Sequence, residues 1–271
     1  MAGEAVSDVL RCEDVSREFG ALRAVDGVTL SVARGARHAL IGPNGAGKST
    51  LLRLVAGGLP VSGGRIHLGD VDVTRAPEAR RAWLGIGQTF QQSSLFGSQT
   101  VADNVALAVQ RRRGRPWLPV PHRRPAWAAR VDELLARVGL ADRAGDPADA
   151  LSYAECRQLE VAVALAAEPR LLLLDEPAAG MSTAGTARLL DLLRALPDDI
   201  TVVFVEHDLD LVFELATVVT VLHLGKVLMS GTPAEVRASA DVQRAYLGTA
   251  RRADLFITEP SPGGDHVTTR P

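Results

Sequence analysis

The sequence predicts an α/β fold in which a mixed sheet with flanking helices is interrupted by a helical insertion. A glycine-rich loop, Gly42 to Thr50, stands directly between a strand-type run and a helix-type run. Two unbroken apolar runs, Leu171 to Leu174 and Thr201 to Val205, each end in acidic residues and lead into helical sequence, as strands covered on both faces do. Between about Val101 and Ala167 strand signals vanish and segments of helical periodicity replace them. With 271 residues, 46% of them hydrophobic, the chain has ample material for a buried core.

The opening segment alternates apolar and polar residues, and Val28 to Val32 and Arg37 to Ile41 read as strands separated by a Gly35 turn. After the glycine loop, Ser49 to Ala56 has helical spacing and stops at Gly57-Gly58. Arg65 to Leu68 and Leu84 to Gln88 look like further short strands. Helices are expected over Val101 to Gln110, Trp127 to Val138 and Ser152 to Ala167, with an arginine- and proline-rich stretch, Arg111 to Pro125, between the first two. That stretch reads either as a solvated surface loop or as a basic contact with lipid headgroups or a partner's acidic loop. Val218 to Leu222 and Val227 to Met229 suit a hairpin around Gly225, and Pro233 to Leu247 looks helical. Residues after about Arg251, with Pro260, Pro262 and Gly263-Gly264, form an expected frayed tail. There is no internal repeat.

Charge and cysteine content narrow the function classes. A formal charge of −2 argues against a general nucleic-acid binder, despite basic clusters around Arg111 and Arg123. Cys12 and Cys156 are far apart and in no metal-ligand spacing, which suits a reduced, cytoplasmic compartment and leaves a single disulfide as the lesser alternative. Glu4 and Asp8 stand where a signal peptide needs basic residues, and no apolar run approaches the ~18 residues of a membrane span. Membrane work would therefore pass through a partner. Lys48 and Lys226 are the only lysines in a chain otherwise committed to arginine. A phosphate loop needs a compact ammonium on a flexible stem, which guanidinium does not replace.

The loop Gly42-Pro43-Asn44-Gly45-Ala46-Gly47-Lys48-Ser49-Thr50 fits glycine, four variable residues, glycine, lysine and serine or threonine. Its glycines let successive amides turn inward around phosphate oxygens, and the following helix aims its positive dipole end at the same charge. Lys48 is expected at the β- and γ-phosphates of ATP and Ser49 on Mg²⁺. Asp175 and Glu176, before Pro177, lie at the C-terminal end of a buried strand, where open α/β sheets place ligands. Asp175 is expected to orient Mg²⁺ and Glu176 to act as general base on water; a strand end capped by exposed acids is the plainer alternative.

Together these residues make the chain resemble the nucleotide-binding subunit of ATP-binding cassette transporters, from about Val9 to Leu247. The resemblance implies a P-loop NTPase (RecA-like) core with an N-terminal antiparallel β-subdomain and an inserted α-helical subdomain. It implies one cassette domain over residues 8–250, with core 8–91 and 167–250, helical subdomain 92–166, and a flexible tail 251–271. Phe19 matches the aromatic that stacks on adenine, with an ordinary core aromatic as the alternative. Gln91, within Thr89-Phe90-Gln91-Gln92, matches the glutamine that reaches Mg²⁺ and the attacking water. His207, within Phe204-Val205-Glu206-His207-Asp208, matches the histidine that bonds the γ-phosphate; a satisfied loop histidine is the alternative. Ala179-Gly180-Met181-Ser182 occupies the loop that crosses to the opposite subunit, without that loop's usual aspartate.

Leu151-Ser152-Tyr153-Ala154-Glu155 matches the family signature, typically leucine, serine, glycine, glycine, glutamine, with three departures. Ser152 and Glu155 form a capping box that starts a helix. The same geometry leaves the Ser152 hydroxyl and free amides, Ala154 included, to hold the γ-phosphate bound by a second subunit. Glu155 brings negative charge near that phosphate unless capping occupies it. Gln88 to Gln91, Leu95-Phe96, Thr100 to Val105, the tyrosine in the signature and Asp175 to Gly180 look most like the branched-chain amino acid importer branch, though urea, amides and other small solutes are equally compatible. The implied partners are integral-membrane permease subunits, a second ATP-binding subunit, identical or different, and indirectly a solute-binding protein, with no nucleic acid. The expected place is the cytoplasmic face of the membrane. A slowly hydrolysing regulatory cassette and a soluble cassette ATPase of repair or translation are the alternatives.

Overall fold

The computed structural model describes residues 8–89, 95–112 and 127–247. The opening alternation becomes β1 (Asp8–Phe19) and β2 (Leu22–Ala33), paired antiparallel around a turn at Gly20. β2 begins well before the Val28 to Val32 run, because the register with β1 slips repeatedly and the alternation that marks a strand breaks at each slip. β3 (Arg37–Ile41) leads through the glycine loop into α1 (Lys48–Ala56), which ends at Gly57 in the left-handed conformation. β4 (Gly63–Leu68) and β5 (Val71–Asp72) complete an antiparallel sheet in the order β2-β1-β4-β5.

The expected strand Leu84 to Gln88 is corrected at its start. A short helix, α2 (Glu78–Trp83), runs up to Leu84, and only β6 (Ile86–Gln88) is extended. Arg81 fixes α2 in place: its fully buried guanidinium donates to the carbonyls of Leu54, Val55, Thr74 and Ala76. The bonds to Leu54 and Val55 engage carbonyls in the last turn of α1, something no local pattern announces.

Helices α3 (Val101–Arg112), α4 (Ala128–Arg137) and α5 (Tyr153–Ala166) pack on one another where strand signals vanish. Of the Arg111 to Pro125 stretch only Arg111 and Arg112 are described, at the end of α3; the proposed tail beyond Arg251 lies outside the described residues. The chain then alternates β7 (Leu171–Asp175), α6 (Thr183–Arg194), β8 (Thr201–Val205), α7 (Leu209–Leu215) and β9 (Val218–His223), and β10 (Lys226–Gly231) pairs antiparallel with β9. The helical segment expected from Pro233 to Leu247 is two helices, α8 (Pro233–Ala238) and α9 (Ala240–Leu247), parted by Ser239 in an extended conformation.

The second sheet has the order β10-β9-β3-β8-β7-β6, parallel except for the β9–β10 pair. Its central strands explain the unbroken apolar runs. Ala39, Ile41, Leu172, Leu174, Val202 and Phe204 join the core shared with α3 to α7, whereas Leu40, Leu171, Leu173, Val203 and Val205 join the core shared with α1 and the antiparallel sheet. Both faces are covered, so alternation cannot appear. Because β3, β7 and β8 are parallel, their C-terminal ends open onto one edge, bringing the glycine loop, Asp175-Glu176 and Glu206-His207 together. No helix among the described residues is long and apolar enough to cross a membrane.

Candidate functional site

The loop from Gly42 to Thr50 presents Asn44 and Gly45 to solvent and buries Lys48. Only glycine fits at two of its positions. A Cβ at Gly42 would lie 2.1 Å from the Leu222 carbonyl oxygen, and one at Gly47 would lie 2.4 Å from that of Ala24. Lys48 Nζ curls back to donate to the Gly42 and Pro43 carbonyls at 2.7 and 3.0 Å, so the loop closes on its own cation. Burial pushes this ammonium below its ordinary value, against the opposing pull of Glu176 and Asp175. α1 starts at Gly47 with no side-chain cap, leaving its first-turn amides to an incoming anion. Gly42 also meets Tyr246 of α9: its backbone hydrogen-bonds the phenol, whose pKa is pushed up by burial.

Facing the loop, Ser49 Oγ donates to Asp175 Oδ1 at 3.1 Å. Burial raises the Asp175 carboxyl, with the Ser49 bond opposing. A hydroxyl and a carboxylate so placed are hard oxygen ligands of the type Mg²⁺ takes, and the nearby Lys48 ammonium suits a polyphosphate. The next residue, Glu176, is held at φ 52 while its N–H donates to the Val205 carbonyl at 3.0 Å. From that turn the Glu176 carboxylate reaches the segment after β8, where His207 Nε2 meets its Oε1 at 2.7 Å. His207 thus contacts the carboxylate that follows Asp175 at the end of β7.

Glu206 was not singled out by sequence. Its buried carboxylate accepts the Ala178 N–H at 2.8 Å and the His207 N–H at 3.2 Å, tying the segment after β7 to the segment after β8. Burial raises its pKa, with those amides opposing. A clue lies in the run Phe204 to Asp208, where an acid follows a fully buried strand, but its partner Ala178 is distant in sequence.

Ser152 and Glu155 form the expected capping box at the start of α5. Ser152 Oγ donates to Glu155 Oε2 at 2.7 Å and Arg143 Nη1 to Oε1 at 2.9 Å, so Glu155 is engaged in capping and paired with a cation. Ala154 in place of the family's glycine meets space left for it: Gly185 at the start of α6 faces its methyl, and Gly180 faces the Tyr153 ring. Among the described residues no hydrogen bond or ion pair joins Ser152 or Ala154 to the glycine loop of the same chain. Phe19 is no core aromatic. It is 43% exposed at the β1–β2 turn with the Arg17 guanidinium 4.6 Å over its ring, on the hairpin that also carries Ala24 to Gly47. Gln91, together with Phe90 and Gln92, lies outside the described residues; neighbouring Thr89 donates to the Leu173 carbonyl at 3.0 Å beside the site.

Comparison with known proteins bears on this geometry. A family model described as ABC transporter matches residues 25–179, and one described as branched-chain amino acid ATP-binding cassette transporter matches residues 226–251. The chain is 34% identical over 251 residues to the high-affinity branched-chain amino acid transport ATP-binding protein BraF of Pseudomonas aeruginosa, covering 89% of this chain and 98% of that one. It is 36% identical over 251 residues to LivG of Escherichia coli K12, which bears the same description, again over 89% and 98%. Among solved structures it is similar to the ADP conformation of MJ1267, an ATP-binding cassette of an ABC transporter, with a TM-score of 0.79, 27% identity and coverage of 89% of this chain and 99% of that one.

Proposed function

The chain belongs to the ATP-binding cassette (ABC) transporter family, and from that premise we propose that it is the ATPase subunit energising uptake of branched-chain amino acids. The observation that carries the reading is the convergence of Lys48, the Ser49–Asp175 pair and the Glu176–His207 pair at one sheet edge. Relatives sharing about a third of its residues over nearly their full length bear branched-chain amino acid names.

In this reading the amides of Gly42 to Thr50 and the Lys48 ammonium grip the phosphates of ATP. Ser49 and Asp175, with Gln91, would hold Mg²⁺, which would supply neutralisation of the phosphate charge. Glu176 takes the proton of the attacking water. His207, anchored by Glu206 through its amide, orients that carboxylate and the γ-phosphate. Phe19 stacks on adenine. Ser152 and Ala154 serve ATP held by a second ATP-binding subunit, consistent with the absence, among the described residues, of a hydrogen bond or ion pair from either to the chain's own glycine loop. Residues 8–250 act as one cassette, with 92–166 as the helical arm.

The chain sits peripherally on the cytoplasmic side of the membrane, docked on permease subunits that receive solute from a binding protein. A groove of about 560 Å³, lined by Ala82, Trp83, Ala108 and Val163 together with Glu78, Arg111 and Arg112, lies between α2 and the helical arm and offers the permease a largely apolar seat with charged groups beside it. Uptake of labelled leucine, isoleucine and valine by cells lacking this chain tests the proposal. Restoration by the parent chain and not by Lys48→Ala is expected; uptake unaffected by loss of the chain would refute the assignment.

A further inference from the structure

The start of α5 carries a carboxylate where the family's signature has a neutral glutamine, and the structure shows how that charge is held. Glu155 Oε2 accepts the Ser152 N–H at 2.8 Å and the Ser152 hydroxyl at 2.7 Å, while Oε1 is taken by Arg143 Nη1 at 2.9 Å. Arg143 closes the short helical turn Ala141–Arg143, pairs also with Asp146, and donates to the Ala150 carbonyl at 3.4 Å. Arg188 of α6 adds a second, weaker positive influence on Glu155.

This arrangement poses two obstacles to an arriving phosphate. The Ser152 proton is committed to Glu155, so the hydroxyl must turn before it can donate elsewhere, leaving Oε2 with one donor fewer. The carboxylate also repels the phosphate at the helix end whose dipole should attract it. Arg143 answers both through its hold on the other oxygen.

We propose that Arg143 is a positioning residue for ATP turnover: by pairing with Glu155 it offsets part of the charge at the start of α5 and holds the carboxylate in place when the Ser152 hydroxyl turns from it to the γ-phosphate bound by a second subunit. The inference rests on the reading of Ser152 as part of a neighbour's site. In that role Arg143 matters only while residue 155 is charged. A merely structural role, through Asp146 and the Ala150 carbonyl, would persist whatever stands at 155.

The test is steady-state ATP hydrolysis by the full chain carrying Arg143→Ala, Arg143→Lys, Glu155→Gln and the Arg143→Ala/Glu155→Gln pair, with unfolding midpoints measured alongside. Arg143→Ala should lower kcat about fivefold without changing the affinity of the chain's own loop for nucleotide, and Arg143→Lys, which keeps the charge, should stay within about twofold of the parent. In the Glu155→Gln background, Arg143→Ala should change kcat by less than about twofold. An equal loss in both backgrounds, or no loss in either, overturns the inference. Ser152→Ala separates the two levels: if it lowers turnover while Arg143→Ala does not, only the role of Arg143 fails. If Ser152→Ala leaves turnover unchanged, the reading of Ser152 fails and the inference with it.

Discussion

Gly47→Ala, set against Gly45→Ala, tests the geometry of the phosphate loop. Both glycines have positive φ, 100 and 79, but an added Cβ at Gly45 meets nothing within 4 Å whereas at Gly47 it meets the Ala24 carbonyl oxygen at 2.4 Å. That oxygen has little room to retreat, because β2 is tied to the β9–β10 turn by the Asp26 N–H bond to the Gly225 carbonyl, 2.8 Å long. Left-handed backbone costs an alanine about 1–2 kcal/mol at either position. Overpacking adds about 1–3 kcal/mol at Gly47 alone, for a total of about 2–5 kcal/mol. At about 3 °C per kcal/mol, Gly45→Ala should lower the unfolding midpoint by about 3–6 °C and Gly47→Ala by about 6–15 °C. Moving residue 47 also displaces Lys48 from the Gly42 and Pro43 carbonyls, so Gly47→Ala should lose ATP binding that Gly45→Ala largely keeps. Calorimetric unfolding and nucleotide titration measure both. Matching midpoints and matching ATP affinities in the two variants would refute the reasoning.

Two further outcomes follow from buried groups. Burial pushes the His38 imidazole, which bonds Thr220 Oγ1 at 2.8 Å, down from 6.5 to about 4. Between those values the unfolded chain takes up a proton that the fold refuses, so stability is whole above about pH 6.5 and declines by about 3 kcal/mol as pH falls toward 4. His38→Gln should flatten that limb of a stability-against-pH curve, and an unchanged slope would count against the assignment. Glu206→Ala removes the acceptor shared by the Ala178 and His207 amides. Because a bond to a charged acceptor is worth about 1.5–3 kcal/mol, turnover should fall about tenfold or more while ATP affinity stays within about twofold; a loss of affinity alone would show that Glu206 supports binding and not the Glu176–His207 pair.

Much of the fold was legible in the sequence where composition and covalent neighbours decide the outcome. The glycine loop, the runs Leu171 to Leu174 and Thr201 to Val205, and the Ser152–Glu155 cap are each local, and each forms as its residues dictate. What escaped is tertiary. α2 was hidden because its anchor, Arg81, reaches carbonyls of α1 far back in the chain, and nothing near Leu84 marks it. β2 was underestimated because its register with β1 slips. Ser239 breaks a run whose apolar spacing continues across it. At the site the candidate residues could be named one by one, but not their pairing. Glu176 turns to His207 through a positive φ that no periodicity encodes, and Glu206 acquires its role only when β7 and β8 lie side by side. The charge on Glu155 was visible, whereas its partner Arg143 is brought near by the turns between Leu140 and Leu151.

The central claim is that Glu176 drives ATP hydrolysis at a site whose nucleotide grip lies elsewhere, in Gly42 to Thr50. Phosphate release by Glu176→Gln, measured beside its ATP affinity, tests this most directly. The variant should bind ATP within about twofold of the parent and release phosphate at least about a hundredfold more slowly. Release at the parental rate would contradict the account.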